Sequence, residues 1–455
     1  MRKANTSMLQ GPLLSSIITY TIPIILTSVL QLLFNAADLV IVGRFRGSIA
    51  VAAVSATSSL TMLIINLFMG MSVGVGVAVA HSLGGKQEEV TRRTIHTAIP
   101  VALIGGVLVT IIGTLCSESL LTLMGTPSNV LPLSAVYMKI YFAGITFTML
   151  YNFCASILRA AGDTKGPLIY LSIGGVINVV LNVCFVTMLN MSVDGVALAT
   201  IISQAIAATL SLLALHRRQD ACHLSFKKLH IYGPQLSKIL RIGLPAGIQS
   251  SLFSISNVII QSSVNSFGDI FMSGNGAASS IEGFIYVTFN AFQQTTVNFI
   301  GQNAGARQYK RIKKIFYICL LCAMITTIII GTAAYICGEP LLSIYITDSQ
   351  EAIQYGLIRL AYIALPYFLC ALMEITTGAL RGIGASLVPT LLSVLGVCGI
   401  RILWIYTIFR IPAYHTPQCL YVSYPISWTI TFLCQLLAFI LVYKKHKKLH
   451  GTLEA

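Results

Sequence analysis

Charge is the first thing this chain of 455 residues lacks: only 9% of it is Asp, Glu, Lys or Arg, against about a quarter in an ordinary soluble domain. No hydrophilic stretch is long enough to build a soluble domain of its own. The motifs of common enzyme chemistry are missing too, with no HExxH, no Walker loop and no cluster at metal-ligand spacing. The one GxSxG match, Gly70–Gly74, sits in an apolar helical run rather than a strand–turn–helix, so it reads as close helix packing and not as a nucleophile elbow. A membrane hydrolase is thereby set aside. The 11 cysteines are odd in number and lie mostly in apolar segments. Cys319 and Cys322 form a CxxC that encloses only Leu320 and Leu321, which suits neither metal nor redox work. The basic start is followed by an apolar run too long for a cleaved signal peptide, without a small-residue cleavage site.

What is present is apolar surface, 56% of the chain. It falls into twelve segments, about 16–43, 51–80, 94–115, 130–158, 166–189 and 193–215, then 239–266, 273–300, 315–337, 352–379, 387–410 and 421–443. A spanning helix needs roughly 20 apolar residues. The alternation of a membrane barrel is absent, and a spanning backbone must satisfy its own hydrogen bonds, so all twelve are predicted helices. The expected fold is an all-α integral membrane protein with 12 transmembrane helices. Its parts are an N-terminal lobe over 1–215, a polar connector over 216–238, a C-terminal lobe over 239–443 and a tail over 444–455.

The net charge of +15 reflects topology rather than nucleic-acid binding, because the basic residues sit in short loops. Twenty-three Lys and Arg, including Arg2 and Lys3, lie at the N-terminus, in alternate loops, in the connector and in the tail, whereas the intervening loops hold only Arg44, Arg46 and Arg410. Both termini and the connector are expected on the cytoplasmic side of a plasma (inner) membrane.

The two halves repeat. Pro23 and Pro245 are 222 apart, as are Arg159 and Arg381 in LRAAGDTKGP and LRGIGASLVP. Gly84 of GGKQ and Gly305 of AGARQ are 221 apart, as are ESLL at 118–121 and EPLL at 339–342. One six-helix half copied in the same orientation predicts two lobes related by a pseudo-twofold axis along the membrane normal. Substrates of such proteins commonly bind between repeats near the midplane.

Eleven of the 14 acids fall in loops, segment ends or the tail, Asp348 and Glu454 among them; Asp38, Glu282 and Glu374 are intramembrane. A carboxylate at that depth costs at least about 2.5–3.5 kcal/mol on insertion scales, so it is a functional-site candidate by default. Asp38, in the first segment, is the foremost, as a proton or cation site of a transporter. Its expected partners are Asn35 one turn earlier, Asn152 in the fourth segment, Asn178 and Asn182 at i, i+4 in the fifth, and Thr200 and Gln204 in the sixth. Singly, each of these is also ordinary interhelical glue. Lys139 and Arg359 occupy nearly equivalent places in the two halves, which argues for snorkelling, and Arg401 is placed to neutralise Glu374.

With these residues in hand, the chain resembles the multidrug and toxic compound extrusion (MATE) family. The resemblance covers nearly all twelve segments. It rests on Pro23 through Asp38, LGGKQEEV after the second segment, LRAAGDTKGP, NVVLNVCFV, DGVALATIISQ and the echo GALRGIG. It implies an exporter of lipophilic, often cationic compounds driven by inward H+ or Na+ flow, built as a V-shaped pair of lobes. It implies that Asp38, Asn178, Asn182 and Thr200 belong to the first-lobe cation site, and that Pro23 marks where the first helix bends. Asn182 departs from the Asp common there, which shifts the preference from Na+ towards H+. Gln249 stands where the sodium-coupled branch carries an acid, and that branch's later acid falls near Cys370, one turn before Glu374. The chain is thus closer to the branch coupling through the first-lobe aspartate.

The resulting expectation is a cation-coupled antiporter working by alternating access, with no cofactor beyond H+ or Na+ and no enzymatic activity. Candidate cavity residues are Gln31, Phe34, Tyr151, Phe253, Asn257, Glu282, Tyr286, Phe289 and Glu374, since aromatics and acids suit a lipophilic cation. Expected partners are such small molecules and membrane lipids, with no nucleic acid and a monomeric state. The alternative is a flippase for a lipid-linked substrate from a related superfamily, disfavoured by the few cations within the membrane.

Overall fold

The computed structural model describes residues 8–347 and 349–450; Arg2, Lys3, Asp348 and Glu454 lie outside them. Sixteen α-helices run in chain order: α1 Leu13–Arg46, α2 Ser48–Gly84, α3 Glu88–Leu123, α4 Leu131–Ala143, α5 Ile145–Ala160, α6 Lys165–Val183, α7 Val193–His216, α8 Gly233–Asn265, α9 Asp269–Gly305, α10 Tyr309–Ile336, α11 Gly338–Ser343, α12 Gln350–Arg359, α13 Tyr367–Ile383, α14 Leu387–Ser393, α15 Ile400–Tyr406 and α16 Pro417–His450. Among the described residues nine helices are long and apolar enough to cross a membrane, or eleven if each of two bent pairs is one span. The fold is an all-α, multi-span membrane fold. Its outward faces carry large apolar side chains: on α3, Ile104, Leu108, Ile112 and Leu115 are all at least half exposed, which suits a lipid surface and not water.

The count falls short of twelve at α9. This helix has 37 residues, ample length for a bilayer. It buries Asn275, Glu282, Gln293, Asn298 and Asn303 within its own unit, so its polarity, not its length, sets it apart from the lipid-facing helices.

The repeat read in the sequence recurs in the backbone. The bent pairs α4–α5 (46°) and α12–α13 (42°) break at Gly144 and at Pro366, 222 residues apart. Gly162 and Gly384 both adopt left-handed backbone, φ 88° and 98°. There Asp163 N donates to the Leu158 carbonyl and Ala385 N to the Leu380 carbonyl, each at 2.9 Å, the six-to-one bond of a Schellman cap. The LRxxG motifs are therefore helix stops. Lys86 and Arg307, 221 apart, close α2 and α9 in the same way at φ 55° and 59°.

Among the described residues three stretches wind as π-helix: Cys184–Met188 just after α6, Leu360–Ala364 just after α12 and Val394–Gly399 just before α15. Each adjoins a polar residue of the sites below, namely Asn182, Arg359 and Arg401. Single π turns gather at functional sites because they re-aim the neighbouring side chains.

The chain packs as two compact units, one holding Ile22–Gly247 and the other Met8–Thr21 with the chain from Ile248 onward. The start of α1 thus belongs with the second unit, where Tyr20 meets Phe299 edge to face at 5.3 Å and Thr21 hydrogen-bonds Thr295 at 2.8 Å. The start of α8 belongs with the first, where it crosses α2 backbone to backbone. A Cβ on Gly70 would lie 2.0 Å from Gly247 N, and one on Gly74 2.4 Å from the Ile239 carbonyl. Both exchanges occur beside a helix proline, Pro23 in α1 and Pro245 in α8. α1 nevertheless runs as one helix through Pro23.

Candidate functional site

In the first unit a polar thread joins α1, α6 and α7. Asp38 is half-buried on α1. The Asn182 side-chain amide donates to Asp38 Oδ1 at 2.5 Å and also lies 3.3 Å from Asn178 Oδ1, one turn earlier on α6. Asn178 in turn donates to Thr200 Oγ1 at 3.4 Å, and Thr200 donates to the Val196 carbonyl at 2.9 Å. Asn178 and Asn182 are both buried. The Asn182 Oδ1 acceptor is buried without a partner.

Packing explains why α1 reaches α6 at this level. Phe34, one turn before Asp38, lies where a Cβ on Gly175 would be; that atom would stand 1.8 Å from the ring. Val42, one turn after Asp38, belongs to a buried apolar cluster with Tyr137, Val186 and Val196. The carboxylate is thus held between an aromatic contact below and an apolar plug above. No basic side chain pairs with it among the described residues. Arg46, two turns on, is spent on the Val186 carbonyl (2.6 Å) and Asn190 (3.2 Å).

Other expected members stand elsewhere. Asn152 bonds its own helix at the Thr148 carbonyl, 2.8 Å away, and lines a separate small cavity with Phe68 and Met149. Asn35 and Gln31 are exposed on α1. Tyr151 is 1% exposed and donates to the Pro167 carbonyl at 3.1 Å, which makes it a core residue of the first unit.

The second unit contains a cavity of about 350 Å3 lined by Phe253, Asn257, Glu282, Tyr286 and Glu374, together with Arg359 and Arg401. Phe289 is fully buried behind it, edge to face against Tyr286 and Tyr367 at 5.2 Å. Arg359 grips Glu282 with both ends of its fork, Nε to Oε1 at 2.9 Å and Nη2 to Oε2 at 2.6 Å. Its Nη1 donates to Asn275 Oδ1 at 2.6 Å, and the Tyr421 hydroxyl donates to the same oxygen at 2.9 Å.

The snorkelling expected for Lys139 and Arg359 therefore does not describe Arg359. Lys139 pairs with Glu118 at 3.3 Å in the open, whereas Arg359 is buried against Glu282. A guanidinium can stay inside because its donor fork matches a carboxylate, which an ammonium does not. The expected Arg401–Glu374 pair is also absent among the described residues. Glu374 accepts from the Gln293 amide. Arg401 donates to Ser427 Oγ at 2.9 Å, and its guanidinium lies 3.9 Å from the Tyr424 ring centroid. Consecutive segments in sequence do not aim their polar side chains at one another unless the registers agree. Gln249 accepts from Arg381 Nη2 at 3.0 Å.

The family model MatE matches residues 23–184 and again 245–407, more than half of the chain. The chain belongs to the MatE family. The two MatE matches start 222 residues apart, the same spacing as Pro23 and Pro245. Among curated relatives, "Probable multidrug resistance protein YoeA" of Bacillus subtilis is 28% identical over 94% of this chain and 93% of its own. The "FAD transporter" of Shewanella oneidensis is 23% identical over 76% of this chain and 78% of its own. Among solved structures, an outward-facing multidrug resistance MATE family transporter of the MOP superfamily superposes with a TM-score of 0.91 at 21% identity, over 98% of this chain and 100% of that one. That likeness places the MatE chain in the same fold.

Proposed function

We propose that this MatE-family protein is an ion-coupled antiporter that exports lipophilic, mainly cationic compounds by alternating access, with the proton as coupling ion and Asp38 as its carrier. The observation that carries the reading is a carboxylate in a spanning helix, held by one neutral amide, that of Asn182, and free of any basic partner among the described residues. Such a group can change charge without leaving a stranded counter-charge behind. The names of relatives such as YoeA, a probable multidrug resistance protein, support the export of drugs.

In this mechanism the charged Asp38 accepts from Asn182 and so ties α1 to α6. Protonation replaces that acceptor with a neutral carboxyl, and the tie weakens. The ion does work only if its affinity differs between the two arrangements of α1, and Pro23 supplies the weak point, since it removes one backbone hydrogen bond from that helix. Asn178 and Thr200 extend the tie to α7. The site has one formal charge and otherwise only neutral amide and hydroxyl oxygens, which favours H+ over Na+. The lobes are read as 1–215 and 239–443, with twelve spans counting α9, a pseudo-twofold axis along the membrane normal, cytoplasmic termini, a plasma-membrane location and a monomeric state.

Two measurements test this. Asp38→Asn in everted vesicles is expected to abolish ion-driven efflux at normal protein levels; full efflux would remove Asp38 from coupling. Efflux from proteoliposomes under separately imposed gradients is expected to follow the proton gradient, and dependence on sodium alone would reverse the choice of ion.

A further inference from the structure

The cavity of the second unit holds a cation without a counter-ion. Of the guanidiniums that line it, Arg359 has Glu282 across a two-bond fork. Arg401 has no carboxylate within ion-pair distance among the described residues, although it is only 4% exposed. Its Nε donates to the Ser427 hydroxyl and its Nη2 is buried with no hydrogen-bond partner. The faces of Tyr424 and Trp428, with centroids 3.9 and 5.4 Å away, replace part of its lost hydration. They supply no acceptor for the donors that remain. A buried charge is normally paired, and each carboxylate in this cavity already has a partner, Glu282 in Arg359 and Glu374 in Gln293.

We infer that Arg401 is the anion-recognising end of this cavity, and that the cavity takes an aromatic compound bearing a carboxylate, phosphate or sulfonate group. The anion would complete the donor set of Arg401, and the ring would lie among Tyr367, Tyr424 and Trp428, which line the same space. The volume of about 350 Å3 falls in the range of small-molecule sites, about 300–1,000 Å3. The inference rests on the transport reading only in regarding the bound anion as cargo. It adds a substrate class that the search for lipophilic cations overlooks.

Binding, not efflux, tests it, so the result is independent of Asp38. Equilibrium dialysis of naphthoate, neutral naphthamide and a naphthylmethylammonium cation is run against the full chain in phosphatidylcholine nanodiscs, with empty nanodiscs subtracted. Naphthoate is expected to bind at least about tenfold more tightly than naphthamide, the scale of one charge-assisted hydrogen-bond pair. Arg401→Gln is expected to erase that preference and Arg401→Lys to keep part of it. Gly283→Leu serves if Arg401→Gln does not fold. Gly283 lines the cavity and a Cβ there meets nothing within 4 Å, so the leucine fills the space while Arg401 stays. It is expected to weaken naphthoate binding without lowering the melting temperature. Adding phosphatidylglycerol separates the sources of the anion: competition assigns the site to a lipid headgroup, and no competition assigns it to a soluble compound. The inference is overturned if wild type shows no preference for naphthoate, or if Gly283→Leu binds naphthoate as wild type does.

Discussion

The two halves of this molecule share a backbone plan and differ in what they do with charge. At the 222-residue spacing, Asp38 of the first half corresponds in sequence to Ile260 of the second, and Arg359 of the second to Tyr137 of the first. Helix stops and helix breaks repeat; the intramembrane acids do not. Asp38 accepts from the Asn182 amide, and among the described residues changing its charge strands no basic partner. Glu282 sits in the fork of Arg359, and changing its charge leaves a buried guanidinium alone. On the proposed reading, one acid changes its charge and the other keeps it. A duplicated scaffold can therefore carry different chemistry in its two halves.

Neutralising the two acids is the strongest way to break this comparison. Asp38→Asn should abolish ion-driven efflux with little change in melting temperature, because the amide is isosteric. Glu282→Gln should do the reverse in kind. It leaves Arg359 unpaired, and removing one partner of a buried pair costs about 3–5 kcal/mol, read as a large fall in melting temperature in detergent. The double change Glu282→Leu with Arg359→Met should recover most of that loss, since a well-packed apolar pair replaces a buried ion pair at little cost. If Glu282→Gln instead keeps its stability and loses coupling, the assignment of roles to the two halves is wrong.

Much of this was legible in the sequence. The segments and the repeat are legible in apolar runs and spacing, and i, i+4 spacing puts Asn178 and Asn182 on one face; Thr200 joins them through what the family resemblance implies. What sequence spacing does not fix is register between helices. That is why Asn152 turns to its own backbone, why Tyr151 is core, and why Arg401 reaches Ser427 and not Glu374. The Glu282–Arg359 pair spans 77 residues and two helices, and no local pattern announces it. The π turns beside Asn182, Arg359 and Arg401 were equally silent, since one extra residue in a turn leaves an apolar run unchanged.

A smaller effect is expected along the thread behind Asp38. Asn178→Leu or Thr200→Val removes one hydrogen bond between α6 and α7, each worth about 0.5–1.5 kcal/mol. The expected result is efflux reduced by up to about tenfold without loss of ion dependence. An effect as large as that of Asp38→Asn would make the thread part of the ion path and not its support.

The finest contrast uses two glycines. On α6, a Cβ at Gly175 would stand 1.8 Å from Phe34, so Gly175→Ala must push α1 off α6, at the roughly 1–3 kcal/mol of an overpacked core. On α9, a Cβ at Gly283 meets nothing within 4 Å. There Gly283→Ala relieves a helix of its most flexible residue and should stabilise by about 0.5–1 kcal/mol. Opposite shifts in melting temperature are expected. Equal shifts would mean that α1 does not rest on α6 through Phe34, and the tie proposed to couple Asp38 to helix movement would lose its mechanical footing.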